Sequence, residues 1–159
     1  MKITIAAVGR LKRGPERDIA ERLLSRATAA GRKAGLSLAS REITESRAAS
    51  ERARKDQEAA ALLAMLPERA VVVALDEGGT TIDSRTFAAK IAEWRDRGVG
   101  ETVFAIGGPD GHGAALLKRS ELRLALGAMT WPHQLVRILL AEQLYRAITI
   151  LLGHPYHRG

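Results

Sequence analysis

The 159-residue chain has no cysteine, which excludes a disulfide framework, a thiolate nucleophile, thiolate–zinc centres and iron–sulfur chemistry. It also suits a reducing compartment. Long apolar runs are missing as well: Ala59 to Leu66, ended by Pro67, falls far short of the roughly 20 residues that cross a bilayer. Met1-Lys2-Ile3-Thr4-Ile5 carries one charge and then a strand-like run, without the apolar stretch and small-residue cleavage site of a signal peptide. The expectation is a cytoplasmic protein with no membrane partner. There is no internal repeat, no low-complexity segment, and neither the dinucleotide G-x-G-x-x-G nor a phosphate-loop Gly-Lys-Ser/Thr.

What remains is a chain able to fold. Its 46% hydrophobic and 27% charged residues suit one ordinary globular domain over residues 1–159. Twenty-five Lys and Arg against 18 Asp and Glu give a net charge of +7, which favours a polyanionic partner, RNA or DNA first. Residues 1–66 hold 14 basic and 8 acidic side chains, and residues 67–159 hold 11 and 10. The first two helices therefore carry most of a field that could attract phosphates, although a solvated helix surface explains the same charges.

Hydrophobic period predicts a strand over Lys2 to Val8, stopped by Gly9. After Gly14-Pro15, a helix to Gly31 carries Ile19, Leu23, Leu24, Ala27 and Ala30 at helical spacing. Leu36, Leu38 and Ile43 suggest a second strand, and Thr44 or Ser46 could cap a helix running to about Leu66, where Pro67 stops it. The continuous run Val71 to Leu75 reads as a central strand covered on both faces, followed by a loop Asp76 to Thr80. Ser84 is expected to cap a helix whose inner face is Phe87, Ala88, Ile91 and Trp94. Another buried strand, Thr102 to Ile106, runs into Gly107 to Gly113, with four glycines in seven positions. A short helix to Ser120, a strand Leu122 to Leu126 and a long apolar helix from Thr130 or Pro132 complete the chain. Strands alternating with helices predict an α/β fold, a mainly parallel sheet flanked by helices. Ligands then sit beyond the carboxyl ends of strands, where the loops after Leu75, Ile106 and Leu126 compete for the site.

Three constellations could carry chemistry. The Gly107-Gly108 loop exposes backbone N–H groups that a ligand could approach, although a plain turn explains it equally well. His133 and Arg137 are one turn apart at a helix start and share a face, so one could take a proton and the other hold a phosphate, or His133 could simply cap the helix. The tail His154-Pro155-Tyr156-His157-Arg158 offers an aromatic, a cation and titratable rings, as the handling of an extruded nucleotide requires. A frayed polar terminus is the plain alternative. Glu142 and Arg146, also one turn apart, read as a helix-stabilising pair or a subunit contact. Metal binding is not expected, because the tail histidines have no carboxylate or thiolate companion.

Taken in order, Leu75-Asp76-Glu77-Gly78-Gly79, Phe104-Ala105-Ile106-Gly107-Gly108-Pro109-Asp110-Gly111, Met129-Thr130-Trp131-Pro132-His133-Gln134-Leu135-Val136-Arg137, Glu142-Gln143-Leu144-Tyr145-Arg146-Ala147 and Pro155-Tyr156-His157-Arg158 resemble the small SPOUT methyltransferase family. The resemblance spans the chain and is most specific from Leu75 onward. It implies a C-terminal trefoil knot, a bent S-adenosyl-L-methionine, and a homodimer whose active site mixes residues of both subunits. It also implies methylation of N3 of a pseudouridine in 23S rRNA, within the large subunit or the whole ribosome, and no DNA partner. By the resemblance, Leu75, Gly107, Leu126, Gly127, Ala128, Met129, Thr130 and Trp131 would bind the cofactor. For such a reaction the expected catalytic residues are His133 or His157, either of which could assist deprotonation, Arg137, holding phosphate or developing charge, and Tyr156, positioning the base; His154 and Arg158 are expected to contact RNA. Asp110, Gly127 and Trp131 depart from the residues usual in the family; Trp131 would reshape the adenine pocket. A non-catalytic ribosome-associated RNA-binding protein, and a SPOUT enzyme acting on another RNA nucleotide, remain as alternatives.

Overall fold

The computed structural model describes residues 1–157, with His157 described in its backbone only. Five strands form one sheet in the order β2-β1-β4-β3-β5. They are β1 Lys2–Val8, β2 Ser37–Ile43, β3 Val71–Thr81, β4 Glu101–Ile106 and β5 Leu122–Ala125. Every neighbouring pair is parallel. The connections are helical: α1 Pro15–Gly31, α2 Glu51–Ala64, α3 Ser84–Asp96 and α4 Ala114–Arg119, with α5 His133–Leu151 closing the chain before a short 3-10 turn at Pro155–His157.

Both faces of the sheet are buried, and the two-residue period of the strands sorts side chains between them. Ile3, Ile5, Val73, Leu75, Phe104 and Ile106 join a core with residues of α1, α3 and α5. Ala6, Val8, Val72, Val103 and Ala105 face the other way, onto Ala59 and Leu62 of α2 and Leu116 of α4. On the larger face, Phe87 and Trp94 set their rings edge-on to Phe104, with centroids 5.7 and 6.5 Å away. The Trp94 indole N–H donates to Glu121 at 2.9 Å, so the ring is buried without an orphaned donor.

Several sequence expectations need correction. β4 is the middle strand; β3 is internal but lies next to the edge strand β5. The segment Asp76 to Thr80 is not a loop but part of β3, whose pairing with β5 jumps from Leu75↔Leu124 to Thr80↔Leu124 across an irregularity. Gly79 permits this, because a Cβ there would come within 2.6 Å of the Arg123 backbone. α2 is capped by Ser50, which accepts from the Ala53 N–H, and not by Thr44 or Ser46. Ser46 instead donates its N–H to Glu58 at 2.9 Å and its hydroxyl to Gln57 at 2.6 Å. α3 is capped by Asp83, which accepts from Thr86 at 2.7 Å, and Ser84 becomes its first residue. In α1, Ala20, Ala27 and Gly31 are the buried positions, whereas Ile19 is exposed. Small residues are needed there because a Cβ on Gly31 would lie 2.9 Å from the Leu36 carbonyl oxygen and 3.6 Å from Ile148 of α5. Among the described residues no helix is long and apolar enough to cross a membrane.

Candidate active site

Parallel strands point their carboxyl ends the same way, so the loops after them share one rim. Three of those segments converge. Leu75, Asp76 and Glu77 of β3, Gly107 to His112 after β4, and Leu126, Gly127, Met129, Thr130 and Trp131 after β5 line a single cleft of 390 Å³. That is within the roughly 300–1,000 Å³ of small-molecule sites. His133, at the start of α5, also lines it. Ala128 does not; it is exposed outside the lining.

The walls are tied together across the cleft. Arg123 of β5 donates through Nε to Asp76 at 2.8 Å and through Nη2 at 2.5 Å. Burial alone would raise the Asp76 carboxyl, but Arg123 and the Gly78 N–H hold it below the usual carboxylate range. The Thr130 hydroxyl donates to Glu77 at 2.7 Å, and the Trp131 indole N–H to the Leu126 carbonyl at 3.2 Å. Gly107 sits so close to the returning chain that a Cβ would lie 3.0 Å from the Gly111 carbonyl carbon. Gly127 adopts φ 111°, a conformation that side chains resist. An apolar cavity of 410 Å³ adjoins the cleft, sharing Leu124, Leu126, Gly127 and Trp131 with it and reaching Ile82, Phe87 and Leu140.

The glycine loop is buttressed from behind. Arg54 of α2 donates to Asp110 at 2.6 Å, and a Cβ on Gly113 would meet the Lys55 carbonyl oxygen at 2.6 Å. Glu58, 5% exposed, accepts from Ser46 through Oε1 while Oε2 has no partner. A Cβ on Gly108 would lie 3.0 Å from that free oxygen. Burial pushes the Glu58 carboxyl above its ordinary value. His112 is buried in the cleft wall with Nε2 3.2 Å from the Ala105 carbonyl oxygen. Burial lowers its affinity for a proton and favours the neutral ring.

Besides Ala128, three expected site residues stand elsewhere: Arg137, Tyr156 and His154. Arg137 is 6% exposed and absent from the cleft lining. Its guanidinium donates to Glu42 at 2.5 Å, to the Val8 carbonyl at 3.2 Å, and to the Gly9 carbonyl. The shared face with His133 was legible, but three acceptors at the ends of β1 and β2 take the guanidinium inward. Tyr156 lies against the later turns of α5: its hydroxyl donates to Glu142 at 3.3 Å, its ring centroid is 4.6 Å from that of Tyr145, and Arg146 sits 5.2 Å over the ring. Glu142 and Arg146 form the expected pair at 2.7 Å. Nine residues of helix separate His133 from Glu142, about 14 Å along the axis, so Tyr156 stands away from its own chain's cleft. His154 is exposed beside it, and its Nδ1 accepts from the Tyr156 N–H at 3.2 Å. The His157 side chain and Arg158 lie outside the described residues.

Sequence reasoning missed Asp76, Glu77, His112 and Arg123 as cleft residues. Asp76 and Glu77 directly follow the apolar run Val71 to Leu75 and His112 lies in the glycine loop after β4, both positions that face a ligand at the strand ends; Arg123, inside β5, carried no such signal.

This architecture is that of a parallel α/β protein with a cleft at the end of its sheet, walled by glycine-rich chain segments. The family described as "Predicted SPOUT methyltransferase" matches residues 1–157, and the chain belongs to that family. It is 52% identical over 160 residues to the ribosomal RNA large subunit methyltransferase H of Bradyrhizobium diazoefficiens, covering all of both chains. It is 53% identical to the protein of that name from Nitrobacter hamburgensis, again over all of both chains. Among solved structures, a probable methylase family protein from Haemophilus influenzae shares the fold: TM-score 0.50 and 12% identity, covering 99% of this chain and 70% of that one.

Proposed function

We propose that this protein is an S-adenosylmethionine-dependent methyltransferase that modifies N3 of a pseudouridine in large-subunit rRNA, acting as a homodimer on the ribosome in the cytoplasm. The observation that carries this reading is the convergence of β3, the glycine loop after β4 and the segment after β5 on one cleft that His133 also lines. The residues present suit the cofactor. Glycine at 107 keeps the loop tight and leaves backbone N–H and C=O groups for a polar ligand, the adjoining apolar cavity can take a purine, and Asp76 and Arg123 offer both signs of charge to an amino-acid moiety. Leu75, Gly107 and the Leu126 to Trp131 segment would hold it, Ala128 through its backbone.

When bound, S-adenosylmethionine supplies a methyl group on a sulfonium and leaves as a neutral thioether. The chain's own task is to prepare the nucleophile. The imide N3–H is a weak acid, so its nitrogen attacks once the proton is removed or the developing anion is stabilised. His133, which lines the cleft, would receive that proton. Trp131, 41% exposed at the cleft mouth, offers a surface on which an extruded base can stack. Arg137 acts through position: it fixes the first turn of α5, and so His133, against the ends of β1 and β2.

Tyr156 and His154 are assigned to the partner subunit's cleft, with His157 and Arg158 continuing the same tail. Their distance from the cleft of their own chain supports this assignment. Met129 and Leu135 are exposed apolar side chains near the cleft, where a second copy would cover them. Leu126 to Pro132, between β5 and α5, would belong to the threaded segment of the trefoil knot. Incubation with ribosomes and methyl-labelled cofactor tests the reading. Label at one pseudouridine of the large-subunit RNA is expected; label elsewhere, or none, overturns it.

A further inference from the structure

The segment Gly9-Arg10-Leu11-Lys12-Arg13-Gly14 has three cations and no acid. Arg10, Lys12 and Arg13 are exposed. The segment leaves the carboxyl end of β1, which pairs with β4, so it stands beside the glycine loop of the cleft. The two are packed together: a Cβ on Gly108 would lie 3.1 Å from Val8 Cγ1, one residue before the segment begins.

Its backbone is pinned. The Leu11 N–H donates to Glu42 at 3.0 Å, and Arg137 bonds the same carboxylate and the carbonyls of Val8 and Gly9. Burial would raise the Glu42 carboxyl, but the Leu11 N–H and the Arg137 guanidinium prevail and keep it below its ordinary value, hence charged. A solvated surface loop needs no such anchor. Here a buried arginine, one turn after His133, ties the cleft to a row of exposed cations.

We propose that Arg10, Lys12 and Arg13 form a phosphate clamp for the RNA strand whose nucleotide enters the cleft, gripping its backbone without reading its bases. This rests on the RNA-methyltransferase reading above. Cations of one sign on a fixed backbone, with no aromatic side chain among them, suit a polyanion's backbone and give no purchase on base faces.

The test compares wild type with an Arg10→Ala/Lys12→Ala/Arg13→Ala variant for binding to ribosomes between 50 and 200 mM salt, with cofactor affinity measured in parallel by calorimetry. Each phosphate contact contributes about 0.7–0.9 to the logarithmic salt slope, so the variant should bind at least about 10-fold more weakly at low salt, with a slope smaller by about 2–3. Its cofactor affinity should stay within about twofold of wild type, and Arg10→Lys/Arg13→Lys should restore the salt slope, because phosphate recognition by point charge tolerates that exchange. Wild-type binding with the same affinity and slope in the triple variant overturns the clamp alone. A wild-type protein that neither binds ribosomes nor transfers a methyl group to them overturns the clamp together with the functional reading.

Discussion

Arg137 and Glu42, 95 positions apart, form an ion pair that fastens the first turn of α5 to the end of β2. The guanidinium also caps the carbonyls of Val8 and Gly9 at the end of β1. Removing it leaves those carbonyls without this donor and the Glu42 carboxylate with only the Leu11 N–H. Arg137→Ala should therefore lower stability by about 2–3 kcal/mol and reduce methyl transfer together. Arg137→Lys should recover part of the stability, since an ammonium cannot reproduce the planar fork. Denaturant melts with activity assays check this; a fully stable but inactive Arg137→Ala would return the residue to the chemistry itself.

Glu58 should make stability depend on pH in an unusual direction. Its folded carboxyl is raised by burial, so the folded state holds the proton more tightly than the unfolded chain. That contribution is complete below the ordinary glutamate value of about 4.3. It is lost as pH rises through the folded value. Subtracting the melting temperature of Glu58→Gln from that of wild type across pH 4 to 8 should give a difference that falls as pH rises. A flat difference would show that the free oxygen behind Gly108 is already accommodated.

A shared active site predicts complementation. His133→Ala should lower methyl transfer by about 10²–10⁴-fold if the ring takes the proton, and Tyr156→Ala should also be inactive. Mixed in equal amounts and allowed to exchange subunits, the two should regain roughly a quarter of wild-type activity, because half the dimers then hold one site with both residues intact. If a single protomer supplies both residues, no activity returns.

The sequence made the scaffold legible where one force dominates. Val71 to Leu75 and Thr102 to Ile106 read as buried strands because both faces are apolar, and Phe87, Ala88, Ile91 and Trp94 marked the inner face of α3. It misled where tertiary contact reverses a local signal. Gly78 and Gly79 read as a turn, yet β3 runs through them because Arg123 needs their open backbone. Arg137 shares a helical face with His133, but its acceptors lie on distant strand ends that no local spacing reveals. Glu58 carries no sequence mark at all: only folding places an acidic residue of α2 beneath the glycine loop.

The cleft itself is tested most directly by calorimetric titration of S-adenosylmethionine into wild type and Gly107→Val. A valine side chain would press on the Gly111 backbone, already 3.0 Å from the position of a Cβ. Saturable binding of one cofactor per protomer, weakened at least about tenfold in a folded Gly107→Val, is the expected result. No binding to wild type, or equal binding by both proteins, would contradict the claim that these three segments hold the methyl donor.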